Sequence, residues 1–148
     1  MSNHIRLPAE RIEQLRLIAE AKKQTVADVI TGFIRAEIAA GTIPAEVPGI
    51  DVKKAGSVIT IKANGFEVDL PSDQGPTVAE LLRGAAALDP NDKERKRLWL
   101  EGAAALSGIA VKRAGNGVKI VSPFTGREFP LNLNVAADLG DQIDRSLK

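Results

Sequence analysis

The sequence predicts an α+β protein in two zones: an N-terminal strand with two helices, then a duplicated βββα domain with a connecting helix. Three observations carry that prediction. Apolar residues alternate over positions 4–7 and then take helical spacing from Ala9 onward. Pro44-Ala45-Glu46-Val47-Pro48 reads as a short extended linker, because each proline restricts itself and its predecessor. Beyond it, one eight-residue segment recurs almost unchanged. The expected boundaries are 1–43, a linker at 44–48, and 49–148.

In the first zone, Ile5 and Leu7 alternate with His4 and Arg6, giving a strand with one apolar face. Pro8 ends it and suits a helix start. Ile12, Leu15, Ile18, Ala19 and Ala21/Lys22 then trace one helical stripe, with Arg11, Glu13, Gln14, Arg16 and Glu20 on the solvated side. Lys22-Lys23-Gln24 is the break. Thr25 is a good N-cap, and Asp28 three residues later makes an acidic version of a capping box. Val26, Val29, Ile30, Phe33, Ile34 and Ile38 form a second stripe, which Gly41 stops. The short strand has no partner in its own zone, and its backbone groups must pair with something. The same strand of a second chain is the obvious candidate, so this zone is expected to be half of a homodimer.

The run Ile5-Arg6-Leu7-Pro8-Ala9-Glu10, then Ile12, Leu15 and Ile18-Ala19, then Thr25-Val26-Ala27-Asp28-Val29-Ile30, resembles a ribbon-helix-helix domain of the Arc/MetJ/CopG type. The resemblance covers residues 1–43. It implies that strands of two subunits pair antiparallel and enter the major groove of double-stranded DNA. By position it implies Ser2, His4 and Arg6 as base contacts. It implies Lys22, Lys23, Thr25 and Val26 at the DNA phosphates, the last two through backbone N–H groups. Lys23 stands where the family usually has Gly in a left-handed turn, a departure that costs roughly 1 kcal/mol. The biology implied is transcriptional repression or an accessory role on a plasmid or mobile element. The alternative is a protein–protein scaffold, or an antitoxin-like partner-binding protein, whose N-terminal zone only dimerises.

The second zone reads as an internal repeat. Gly49-Ile50-Asp51-Val52-Lys53-Lys54-Ala55-Gly56 matches Gly108-Ile109-Ala110-Val111-Lys112-Arg113-Ala114-Gly115 at six of eight positions. The match continues through Ile59/Val118 and Ile61/Ile120, then Val68-Asp69-Leu70 against Phe129-Pro130-Leu131. It resumes at Val78-Ala79-Glu80-Leu81 against Val135-Ala136-Asp138-Leu139, placing the units at about 49–88 and 108–147. Each unit reads as three strands and a helix. Asn64-Gly65 and Asn116-Gly117 are expected as hairpin turns whose two residues both take positive φ. The closing helices are expected at Thr77–Leu88, capped by Thr77, and at about Asn134–Leu147. Asp92–Leu106 is expected as the connecting helix, with a solvated basic half and Trp99 as a core or interface anchor. The echo of Gly84–Leu88 in Gly102–Leu106 suggests two helices that approach through small residues.

Composition narrows the function. Among 148 residues, 20 Lys and Arg face 19 Asp and Glu, which excludes a strongly cationic nucleic-acid coat and an acidic tail. Zone one has six basic residues against five acidic ones, so any non-specific attraction to DNA is weak. The absence of Cys excludes disulfides, thiol nucleophiles and iron–sulfur clusters, and the lone His4 excludes a histidine-rich metal site in one subunit. No phosphate-binding loop motif is present, and no catalytic set suggests itself. The sequence therefore predicts a non-enzyme without cofactor or metal. With no Tyr and 3% aromatic residues, single-strand stacking surfaces are not expected. No apolar run nears the ~20 residues of a membrane span, and no signal-peptide core is seen, so a cytoplasmic protein without membrane contact is expected. The expected partners are double-stranded DNA and a second copy of the chain. Residues 49–148 are left for an unidentified protein partner or a higher assembly.

Overall fold

The computed structural model describes residues 4–87, 103–104, 108–114 and 117–148. The chain divides into two units, Met1–Ala45 and Glu46–Lys148. Its helices and antiparallel sheets make it an α+β protein.

The first unit holds α1 (Ala9–Lys22) and α2 (Val26–Ala39). Between them Lys23 takes φ 54° and ψ 47°. The Gln24 N–H donates to the Ala19 carbonyl at 2.9 Å and the Lys23 N–H to that of Glu20 at 3.2 Å. Those two bonds are the Schellman ending of a helix, here built on a lysine where glycine is usual. Thr25 then caps α2 by a complete capping box. Its Oγ1 accepts from the Asp28 N–H at 3.0 Å, and the Asp28 carboxylate accepts from the Thr25 N–H at 3.2 Å. Residues 4–8 have no regular secondary structure in the single chain. A strand is defined by its hydrogen-bonded neighbour, and one chain supplies none here.

The second unit begins with β1 (Ile50–Ala55), β2 (Val58–Ala63) and β3 (Phe66–Pro71), an antiparallel meander in the order β1-β2-β3. Alternation does what a half-buried sheet requires. Phe66, Val68 and Leu70 are buried, while Glu67, Asp69 and Pro71 are exposed. A 3₁₀ turn, Ser72–Gln74, leads into α3 (Gly75–Ala86). The second sheet runs β4 (Ala103–Ala104), β5 (Ala110–Ala114), β6 (Gly117–Val121) and β7 (Glu128–Asn132), also antiparallel in sequence order. The last helix, α4, spans Leu133–Ser146 and starts at Asn132, whose side chain accepts from the Asn134 N–H.

The helices interlock the two sheets. α3 follows the first sheet yet packs on β5 and β6, and α4 packs on β6 and β7 and reaches back to β1. Ile59, Ile61, Val78, Leu82, Val111, Ile120, Leu139 and Ile143 thus share one core. α3 and α4 approach closely at Gly140, where a Cβ would lie 2.9 Å from the Ala79 carbonyl oxygen. Arg83 of α3 ties the pair, donating to Asp144 at 2.8 Å and Asp141 at 3.1 Å. The Asp144 carboxylate beside it holds the guanidinium even further above its usual pKa. Phe66 and Phe129 stack with ring centroids 5.4 Å apart, joining the sheets a second time.

Several local expectations need correction. Thr77 is not an N-cap: α3 starts at Gly75 with Gln74 before it. Pro76 lies inside the first turn, where its missing N–H has no helical acceptor to lose. In the β2–β3 turn only Gly65 is left-handed, at φ 76°, so the turn is not the type in which Asn64 also takes positive φ. Ala103-Ala104 pairs with Val111 and Ala110 as a strand instead of extending a helix to Leu106. A partner for the β5 edge outweighs the preference of alanine, the strongest helix former, for a helix. Val47 is no free linker residue: its N–H donates to Gln142 Oε1 at 2.9 Å, and it packs on the core. Most of the expected connecting helix, with Trp99, and the Asn116 turn lie outside the described residues, as do Leu88 and Gly102.

Candidate nucleic-acid interface

The residues singled out for DNA contact sit at the two ends of α1. Lys22 closes that helix, Lys23 is the left-handed turn, Thr25 is the cap and Val26 the first residue of α2. His4 and Arg6 precede α1 and are exposed. Ser2 lies outside the described residues. A helix of 14 residues spans about 21 Å, so one chain presents two patches instead of one.

At the turn, the capping box uses the Asp28 N–H, and the Val29 N–H donates to the Thr25 carbonyl at 3.1 Å. The Val26 and Ala27 N–H groups are the remaining first-turn donors, which have no intrahelical acceptor by position. Their setting combines the positive end of the helix dipole with the Lys22 and Lys23 ammonium groups next to it. Neither lysine has an ion-pair partner among the described residues. Arg16 differs. It is engaged by Glu13 and Glu20, and its hydrogen bond to Glu13 lowers that carboxyl's pKa while raising its own. Among the described residues, then, no ion pair engages Lys22, Lys23 or Arg6.

The apolar surface of this unit is the second feature of the site. Among its described residues, Ala19 is the one buried hydrophobic side chain. Ile5 is 86% exposed and Phe33 66%, and Leu7, Ile12, Ile18, Ile30 and Ile34 are exposed with them. These residues lie on the two stripes and the strand face that periodicity assigns to an interior.

No protein-family model, curated protein or solved structure matches the chain.

Sequence reasoning attached no role to Phe124, which is 85% exposed in the β6–β7 loop. Its signal was present: one aromatic residue set among the turn formers Ser122-Pro123-Phe124-Thr125-Gly126. It borders a wide-open surface cavity of about 700 Å³.

Proposed function

We propose that residues 1–43 form a ribbon-helix-helix domain, and that the protein is a homodimeric, sequence-specific DNA-binding protein. In this reading it acts as a transcriptional repressor or as an accessory factor of a plasmid or mobile element. The observation that carries the reading is the apolar surface left open by α1, α2 and the Ile5–Leu7 segment. So many exposed large hydrophobics on two short helices are not the surface of a monomer. A second chain covers them, and pairing of the two Ile5–Leu7 segments satisfies their backbone groups in the same step. Arg6 and His4 then face outward from the ribbon into the major groove, and the turn Lys22–Val26 meets phosphate on either flank.

The C-terminal unit is, in the same proposal, a duplicated βββα domain. Gly49 and Gly108 both take positive φ, and the isoleucines after them are both buried. Ile59 and Val118, then Ile61 and Ile120, are buried in corresponding second strands.

Selection of bound duplexes from a randomised library, at fixed salt, tests the DNA reading. An enriched sequence with two-fold symmetry, bound by a sedimenting dimer, is the expected result. A dimer that enriches no sequence overturns DNA recognition and leaves a dimerisation module. A folded monomer at micromolar concentration overturns the ribbon itself.

A further inference from the structure

The β6–β7 loop holds its phenylalanine out in solvent on a braced frame. Ser122 is buried, its N–H donates to the Arg127 carbonyl at 2.9 Å, and the Gly126 N–H returns to the Ser122 carbonyl at 3.0 Å. Gly126 is left-handed at φ 70°, and Arg127 donates from Nη1 to the Gly65 carbonyl at 3.2 Å. Pro123 packs so tightly on Gly108 that a Cβ there would lie 2.8 Å from its own. A loop fixed at both ends and in its middle displays Phe124 by construction, since a loosely held ring could fold back onto apolar surface.

What lies beside the ring gives the display a meaning. Among the described residues of the second unit, the exposed large hydrophobics are Val58 and Phe124, and both line the same cavity. Leu70 and Pro71 add to its apolar lining, and the 3₁₀ turn after β3 supplies Asp73. Asp69 adds a second carboxylate, already ordered by a 2.6 Å hydrogen bond from Thr60 Oγ1. Among the described residues no Lys or Arg lines the cavity. An exposed ring face, an apolar floor and two carboxylates are complementary to one kind of group: a cation carried on an apolar stem.

We propose that this cavity docks a basic segment of a partner protein, seating an arginine side chain between Phe124 and the Asp69/Asp73 carboxylates with a neighbouring aliphatic residue on Val58 and Pro71. Arginine fits better than lysine, because its planar guanidinium stacks on a ring while its fork still reaches a carboxylate. The proposal is independent of DNA recognition by the first unit. It concerns the part of the chain for which the sequence left a protein partner open.

The test is a titration of the full-length protein, followed by backbone amide NMR shifts, with three blocked tripeptides: Leu-Arg-Leu, Leu-Gln-Leu and Leu-Glu-Leu. The arginine peptide should give saturable shifts at Ser57, Val58, Ser72 and Phe124, with affinity about tenfold above the glutamine peptide. The glutamate peptide should give none. Phe124→Ala and Asp73→Asn should each weaken the arginine peptide several-fold without moving signals elsewhere, since both side chains lie at the surface. Equal shifts from all three peptides, or shifts that survive both substitutions, overturn the proposal. Binding of free arginine as tight as that of the tripeptide also overturns it, because a small-cation site would then suffice.

Discussion

The two units of this chain keep their apolar residues in opposite ways. From Glu46 onward, strands and helices pool their hydrophobic side chains in one core that the single chain completes. Before it, two capped helices display theirs, and Ala19 alone is buried among the described residues. Yet the local chemistry of the first unit is as definite as that of the second: a Schellman ending at Lys23 and a closed capping box at Thr25. Local signals fix a helix's ends, but only a partner surface decides whether its stripe is a core.

That contrast breaks most readily at Ile34. In a monomer its side chain is already exposed, so Ile34→Asp would change stability little. If a second chain covers α2, the same change buries an unpaired carboxylate at a cost of several kcal/mol. The expected outcome is a shift from dimer to monomer in sedimentation equilibrium, with the spectrum of the second unit unchanged. A variant that stays dimeric would move the interface away from α2.

Leu139→Ala is the matching test of the self-contained core. Leu139 is fully buried on α4, and truncation should cost about 2–5 kcal/mol in urea denaturation. The transition it shifts should not depend on protein concentration. Concentration dependence there would mean that the second unit also borrows its core from another chain.

Gln142 marks where α4 takes hold of the first residues of the second unit. It is buried, accepting from the Val47 N–H at 2.9 Å and donating to the Ile50 carbonyl at 3.1 Å. Gln142→Ala leaves both backbone groups without these partners and should cost about 1–3 kcal/mol. It should also lengthen the protease-sensitive stretch. Limited proteolysis of the native chain should begin around Ala45-Glu46, and in the variant should extend past Val47 toward Ile50. Unchanged cleavage would show that the Gln142 amide does not hold Val47 in place.

The features legible in the sequence are those set by near neighbours. The alternation in β1–β3 gave the meander, the Thr25/Asp28 spacing gave the capping box, and the Lys22-Lys23-Gln24 break gave the end of α1. What could not be read depends on distant parts of the chain. Ala103-Ala104 becomes a strand because β5 has an open edge, and nothing in an alanine run announces it. Gln142 is held by Val47 and Ile50 from the far end of the unit, and nothing in its neighbouring residues announces that. The candidate DNA-contact residues were named from resemblance, and the described ones fall into two groups at opposite ends of α1.

Arg6→Ala should have the smallest effect on stability and the largest on function. In the proposed ribbon Ile5 and Leu7 would share one side, so Arg6 and His4 would take the other, with the two Arg6 side chains of a dimer on one exposed face. The fork of arginine can reach O6 and N7 of guanine together, a contact worth about 1–3 kcal/mol of base discrimination. Shortening an exposed side chain removes little burial, so dimer stability should stay within about ±0.5 kcal/mol. Sequence preference should be erased, whereas Lys23→Ala should weaken binding evenly across sequences and flatten its salt dependence. If the first unit only dimerises, both changes are silent in both assays. Loss of folding on Arg6→Ala would contradict either reading, because it would put Arg6 inside and turn the apolar face of Ile5 and Leu7 to water.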